Sequence, residues 1–223
     1  MAAIDHEIIR HILLGTEDPK IRYQFIERYE QKLETFVAHM DVAFSDWENL
    51  DSELSKNIHG AHVSALIYGA LNTHLVAMKL LISGLFVPAG NSQRYVLESL
   101  ATALLTSKPE LGFLARYSDG KYSTSKSIRD VLRHAEALGL DRKALEMLSI
   151  QAKLYDRSSH PTLFSLASIV TFEEASSKIV VGGCFDEGKS FAYEKEINSR
   201  TSLASIFPNI VFAIRRNYFG QLT

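Results

Sequence analysis

The feature that most constrains this chain is a run of apolar side chains spaced three and four residues apart. Ile21, Phe25, Tyr29, Leu33, Phe36, Met40, Phe44 and Trp47 keep that step throughout 21–47. The spacing stacks them on one face of a long helix, whereas a strand would turn every second one away. Asp18 followed by Pro19 supplies a start, because Asp caps and proline suits a first helical position. The polar segment DSELSKN then breaks the pattern.

Further stripes follow. Val63, Leu66, Ile67, Ala70, Leu71, Met78, Leu81 and Ile82 form a second, ended by Gly84 and Pro88. Leu97, Leu100, Ala101, Leu104 and Leu105 form a third, which stops before Pro109. Ile128, Val131, Leu132, Ala135 and Leu138 make a shorter helix that Gly139 stops. Asp141 caps the next, whose stripe is Leu145, Leu148, Ala152 and Tyr155. That helix is expected to reach His160, since the residue before Pro161 is pushed out of helical backbone, and Pro161 opens a short helix through Leu166. Near Ile169 the character changes. IVTFE, KIVVGGCF and SFAYEK are short β-branched or aromatic runs separated by EEASS and DEGK, which read as strands. Helical spacing returns with Leu203, Phe207, Ile210, Val211, Ile214 and Tyr218, with Pro208 kinking that helix or marking its start. The expected fold is mainly α: an antiparallel helical bundle with a small β-hairpin or three-strand meander, over about 169–195, before the C-terminal helix. No linker divides the chain, so residues 1–223 form a single domain.

Composition narrows the function classes. The chain has 223 residues and a formal net charge of −2, so its surface as a whole is not built to grip nucleic acid or an anionic membrane. Its one cysteine, Cys184, excludes a disulfide framework or a paired-cysteine zinc site and makes a reducing, cytoplasmic setting the expectation. The N-terminus carries Asp5 and Glu7 and reads as no signal peptide. The most apolar stretch, LVAMKLLISGLFV, is short and holds Lys79, so no membrane span is expected.

Two places break the apolar pattern with charge or polarity. Arg94 lies three residues before Leu97 and seven before Ala101; Glu98 stands in the same relation to Ala101 and Leu105. Both charges therefore fall on the apolar face, one turn apart. Desolvation costs several kcal/mol per ion, so such charges need partners. They form either a structural ion pair near a helix end or one wall of an internal polar pocket. The second place is YDRSSHP, residues 155–161: Tyr155 continues an apolar stripe, Arg157 and Ser159 follow, and His160 sits where the helix must break. An imidazole there suits general acid–base work or bonds a backbone carbonyl. His160, Arg94 and Glu98 are thus the catalytic candidates, and Tyr155, Ser159 and Arg157 the candidates for the pocket. No metal or other cofactor is expected. His59 and His62 are three apart, but no Glu-x-x-His pair accompanies them, and His74, between Leu71 and Met78, reads as a satisfied core histidine. Gly182 and Gly183 read as a strand bulge or a close backbone approach, and Cys184 as an inert thiol.

The stretch LLISGLFVPAGNSQRYVLESLATALL, with its Arg94–Glu98 pair, and the later Ser158, Ser159 and His160 resemble a pattern found in uncharacterised bacterial helical proteins. These are grouped loosely with the HEPN superfamily, nucleotide-binding helical bundles that include ribonucleases of defence and toxin systems. The resemblance covers roughly residues 57–168. It implies a helical bundle, dimeric in some cases, and a metal-independent ribonuclease as one activity. In such enzymes a histidine moves protons at the ribose hydroxyl and the leaving oxygen, and a nearby arginine on the same helix stabilises the phosphate charge. This chain departs from that spacing: Arg157 and His160 are separated by only two residues. Arg129 and His134 have the spacing but point to different helix faces. The sequence therefore supports a binding or interaction domain with an internal Arg/Glu/His pocket, with the ribonuclease as the alternative. A homodimer, RNA and a protein are the partners that fit.

Overall fold

A computed structural model describes residues 18–157, 160–168, 170–173, 176–179 and 182–220, together with residues 7, 10 and 14. The first long stripe is realised as α1 (Pro19–Leu54). Asp18 caps it, its Oδ1 accepting from the Lys20 N–H at 2.9 Å, and Tyr29 bends it with a non-helical φ of −124°. Phe25, Tyr29, Leu33, Phe36 and Met40 are buried along it, as their spacing predicts. Asn57 caps α2 (Ile58–Ile82), and its side-chain oxygen accepts from the Gly60 N–H at 3.0 Å. A Cβ on Gly60 would collide with the Leu54 carbonyl, so glycine is what lets α2 leave α1 so tightly. Gly84 stops α2 in left-handed backbone (φ 74°), with Gly84 and Leu85 N–H groups closing on the Leu81 and Leu80 carbonyls.

α3 (Phe86–Thr106) follows at once and takes Pro88 into its first turn, where no donor is lost. Short connections of this kind make α1, α2 and α3 antiparallel neighbours. The chain then steps through α4 (Phe113–Ser118), α5 (Ser127–Arg133), α6 (Arg142–Asp156) and α7 (Leu163–Ser168). It closes with α8 (Ser190–Phe219), which packs back on α1. The core lies where α1, α2, α3 and α8 meet, around Phe25, Ile67, Leu71, Leu97, Leu100 and Phe207. α2 has the length and mean hydropathy (1.5) of a membrane-crossing helix. Here it runs between α1 and α3 and buries Val63, Ile67, Leu71, Met78 and Leu81 against them.

Several expectations are corrected. The β excursion does not extend over 169–195. The strand pairing among the described residues is a short antiparallel ladder between β1 (Val170–Glu173) and β2 (Ser176–Ile179). SFAYEK is helical and forms the first turns of α8. Its apparent alternation of Phe191 and Tyr193 misleads, because Phe191 is exposed while Tyr193 is buried, stacked on Phe185 with ring centroids 5.4 Å apart. α8 also runs unbroken through Pro208. α5 ends at Arg133, and Ala135 and Leu138 reach the core from turns that close on Gly139. α6 ends at Asp156 rather than His160, and α7 begins at Leu163.

Of the two glycines in GGC, Gly183 makes the expected close approach. A Cβ on Gly183 would overlap the Ser83 carbonyl, and one on Gly84 would overlap the Cys184 backbone. The segment leading into α8 is thus laid directly on the α2–α3 corner. Gly120 has a similar φ of 68° with open space around it. Gly120→Ala should cost only the left-handed backbone penalty, about 1–2 kcal/mol. Gly84→Ala should cost that plus about 1–3 kcal/mol of overpacking. Urea denaturation of the two variants measures the difference; equal losses would contradict the backbone contact.

Candidate functional site

The predicted charges do turn inward, at the seam where α3 packs against both α6 and α8. Arg94 Nε donates to Glu98 Oε1 at 3.0 Å, one helical turn away, and its Nη1 lies 3.1 Å from Asp156 Oδ1 at the end of α6. The Arg94 and Glu98 side chains keep 26% and 17% of their surface, and Asp156 keeps 50%, so this part of the cluster reaches water. Tyr155, beside Asp156, points the other way. Its hydroxyl lies 3.2 Å from Glu196 Oε2 and 3.3 Å from Ser199 Oγ, both on α8. Burial pushes the Tyr155 phenol up to about 12, so it stays protonated and available as a donor.

Behind Tyr155 lies Arg200, fully buried on the apolar stripe of α8. Its Nη1 bonds the Glu196 carboxylate and, at 3.2 Å, the Glu196 carbonyl, and its Cζ lies 5.9 Å from the centre of the Tyr155 ring. The Nε and Nη2 groups of Arg200 have no hydrogen-bond partner. They form the planar edge on which a guanidinium makes paired, parallel hydrogen bonds.

His74 holds this arrangement from beneath. It is fully buried on α2, with Nε2 3.0 Å from the Arg200 carbonyl and Nδ1 2.9 Å from Gln93 Oε1. A carbonyl only accepts, so in the neutral ring Nε2 carries the proton, and Nδ1 is satisfied once the Gln93 amide is turned about its last bond to bring its NH2, in place of Oε1, to that nitrogen. Burial first, and then the positive charge of Arg200, lowers the His74 pKa to about 4. The expected core histidine is therefore found, but it belongs to the polar cluster. Gln93 and Arg94 are consecutive, as are Tyr155 and Asp156, so the two arms of the cluster join at both α3 and α6.

The remaining candidates fall elsewhere. His160 is exposed on the segment after α6, and its carbonyl accepts from Ser165 Oγ at 3.0 Å. Arg157 is exposed, and its carbonyl accepts from Thr162 Oγ1 at 2.8 Å. Ser158 and Ser159 lie outside the described residues. Arg129 reaches Asp130, while His134, beyond the end of α5, sits edge-on to Phe113. Among the described residues no three His, Cys, Asp or Glu side chains gather as a metal site, and Glu98, Asp156 and Glu196 each face a guanidinium. Burial raises the pKa of the Cys184 thiol and keeps it a weak nucleophile.

Sequence reasoning missed Glu196, Ser199 and Arg200. Arg200 lies three residues before Leu203 and seven before Phe207, the relation that identified Arg94 on α3. The signal was present, but reading SFAYEK as a strand started the last helix too late to include it. No protein-family model, curated protein or solved structure matches the chain.

The depressed His74 pKa carries a pH signature. Between about pH 6.5 and 4 the unfolded chain binds a proton that the folded ring refuses. This contribution to stability is complete above pH 6.5 and lost as the pH falls towards 4, a difference on the order of 3 kcal/mol. His74→Gln removes that titration. Denaturation at about pH 7 and about pH 4.5 should show a smaller acid loss in the variant than in the wild type; parallel losses would contradict the neutral buried imidazole.

Proposed function

We propose that this domain is a binding module whose site is the polar seam of α3, α6 and α8, formed by Arg94, Glu98, Tyr155, Glu196, Ser199 and Arg200. The observation that carries the reading is the open edge of Arg200. A buried donor without a partner costs about 1–3 kcal/mol, and this side chain leaves two nitrogens unfilled. A group kept only as scaffold would be paired on every side or replaced by an apolar one. The surroundings are those of a prepared site: the guanidinium is fixed at one end by Glu196, and its helix is fixed through the Arg200 carbonyl by His74. The outer arm, Arg94 with Glu98 and Asp156, supplies the partly wet approach.

The ribonuclease reading draws less support. Its arginine candidate, Arg94, is engaged by two carboxylates, and His160 stands exposed on another segment.

Site and scaffold differ in what removal does to stability. Replacing a buried ion pair by apolar residues of similar volume is neutral or stabilising by about 1–4 kcal/mol when the pair is not there for stability. We expect the double variant Arg200→Met/Glu196→Leu to match or exceed the wild type in urea denaturation. A loss above about 2 kcal/mol would make the cluster a structural element and overturn the reading.

A further inference from the structure

α2 turns an apolar, uncharged face outward. Only 39% of its apolar 18-residue stretch is buried, and from Ile58 to Met78 it holds no Asp, Glu, Lys or Arg. Ala65, Tyr68, Asn72, Leu75 and Val76 are all exposed and recur at three- and four-residue steps, so they share one side of the helix. The patch continues onto both neighbouring helices. The Tyr68 ring lies 4.9 Å from that of Trp47 on α1, which meets Phe44 edge-on at 6.4 Å. On the other flank the exposed Tyr95 of α3 brings its hydroxyl to 3.8 Å from where a Gly69 Cβ would stand. Gly69 therefore leaves a hollow beside two projecting tyrosines.

We infer that this face pairs with the same face of a second copy of the chain, forming a two-fold dimer. Its charge pattern selects that partner. A surface that meets its own copy meets its own charges, so a self-pairing patch has to be uncharged at its centre. Here the centre is aromatic, aliphatic and amide, the composition of an interface core, and it offers both projections and a hollow to receive them. Its size fits as well. The charge-free part of α2 is about 30 Å long, and the span from α1 to α3 is about 20 Å. That gives about 600 Å² before side-chain relief is counted, within the roughly 600–1,000 Å² that each partner gives to a stable interface. An anionic lipid surface fits poorly, because Asp41 and Glu48 are exposed one turn to either side of Phe44. The other exposed apolar row, Met147, Ile150 and Leu154 of α6, is interleaved with the exposed charges of Lys143, Glu146 and Lys153.

Sedimentation velocity of the full chain tests the pairing, with the fluorescence of Trp47, the one tryptophan, as a local readout. The wild type should be a dimer at about 100 μM, with a Kd in the micromolar range or tighter. Its Trp47 emission should shift on dilution. Gly69→Glu and Leu75→Glu each place two like charges in the contact and should weaken the dimer at least about 100-fold. Both positions open outward, so helical content should be unchanged. Met147→Glu, on α6, should leave the dimer intact. A monomeric wild type at about 100 μM would overturn the proposal, and binding of that monomer to phosphatidylcholine vesicles would make lipid the occupant. A dimer that survives both α2 variants, or that Met147→Glu breaks instead, would overturn it too.

Discussion

One neutral imidazole ties the long helices together. His74 emerges from α2 with no exposed surface, reaches Gln93 on α3 and the Arg200 carbonyl on α8, and packs its ring on Phe36 of α1 and Phe207 of α8. A polar ring at this depth is tolerable only if both nitrogens are satisfied, because an unpaired buried donor or acceptor costs more than the bond itself returns. Satisfying both fixes the relative height of three helices. That constraint helps decide where Arg200 sits: with its backbone held by His74, the guanidinium lies beside Glu196 of its own helix and near Tyr155 of α6.

The cluster therefore combines firm support with incomplete satisfaction. Glu196 neutralises the charge of Arg200 at one end, the centre of the Tyr155 ring lies 5.9 Å from its Cζ, and the opposite edge is unfilled. Arg94 lies nearer the surface, held by two carboxylates and partly exposed. A gradient from buried to wet runs through five charged side chains, and the α3–α6–α8 seam continues beyond it into aliphatic walls.

Much of the architecture was legible in the sequence because it rests on local periodicity. The α1 stripe from Phe25 to Met40, the Asp18 and Asp141 caps and the Gly84 stop all follow from three- and four-residue spacing and capping chemistry. Arg94 and Glu98 were legible for the same reason. Arg200 was hidden by its neighbours: Phe191 and Tyr193 alternate like strand residues, and only packing shows that Tyr193, Ile197, Arg200 and Leu203 share one helical face. His160 was misplaced because proline limits the residue before it without carrying a helix up to it. Pro208 does not mark the start of the last helix, which runs from Ser190. The proline's missing donor is outweighed here by Phe207, Val211 and Ile214, which bury the helix on both sides of it. His74 was placed in the core, but its bond to a residue 126 positions away has no local signature.

The central claim is that the Arg200 guanidinium is buried with one donating edge left open by the protein. A crystal structure of the full chain at a resolution that places ordered water tests this directly. The account predicts that Nε and Nη2 face water or a bound small molecule, with no protein acceptor within hydrogen-bond distance of either. A carboxylate or main-chain carbonyl seated on both nitrogens would contradict it and reduce the seam to scaffold.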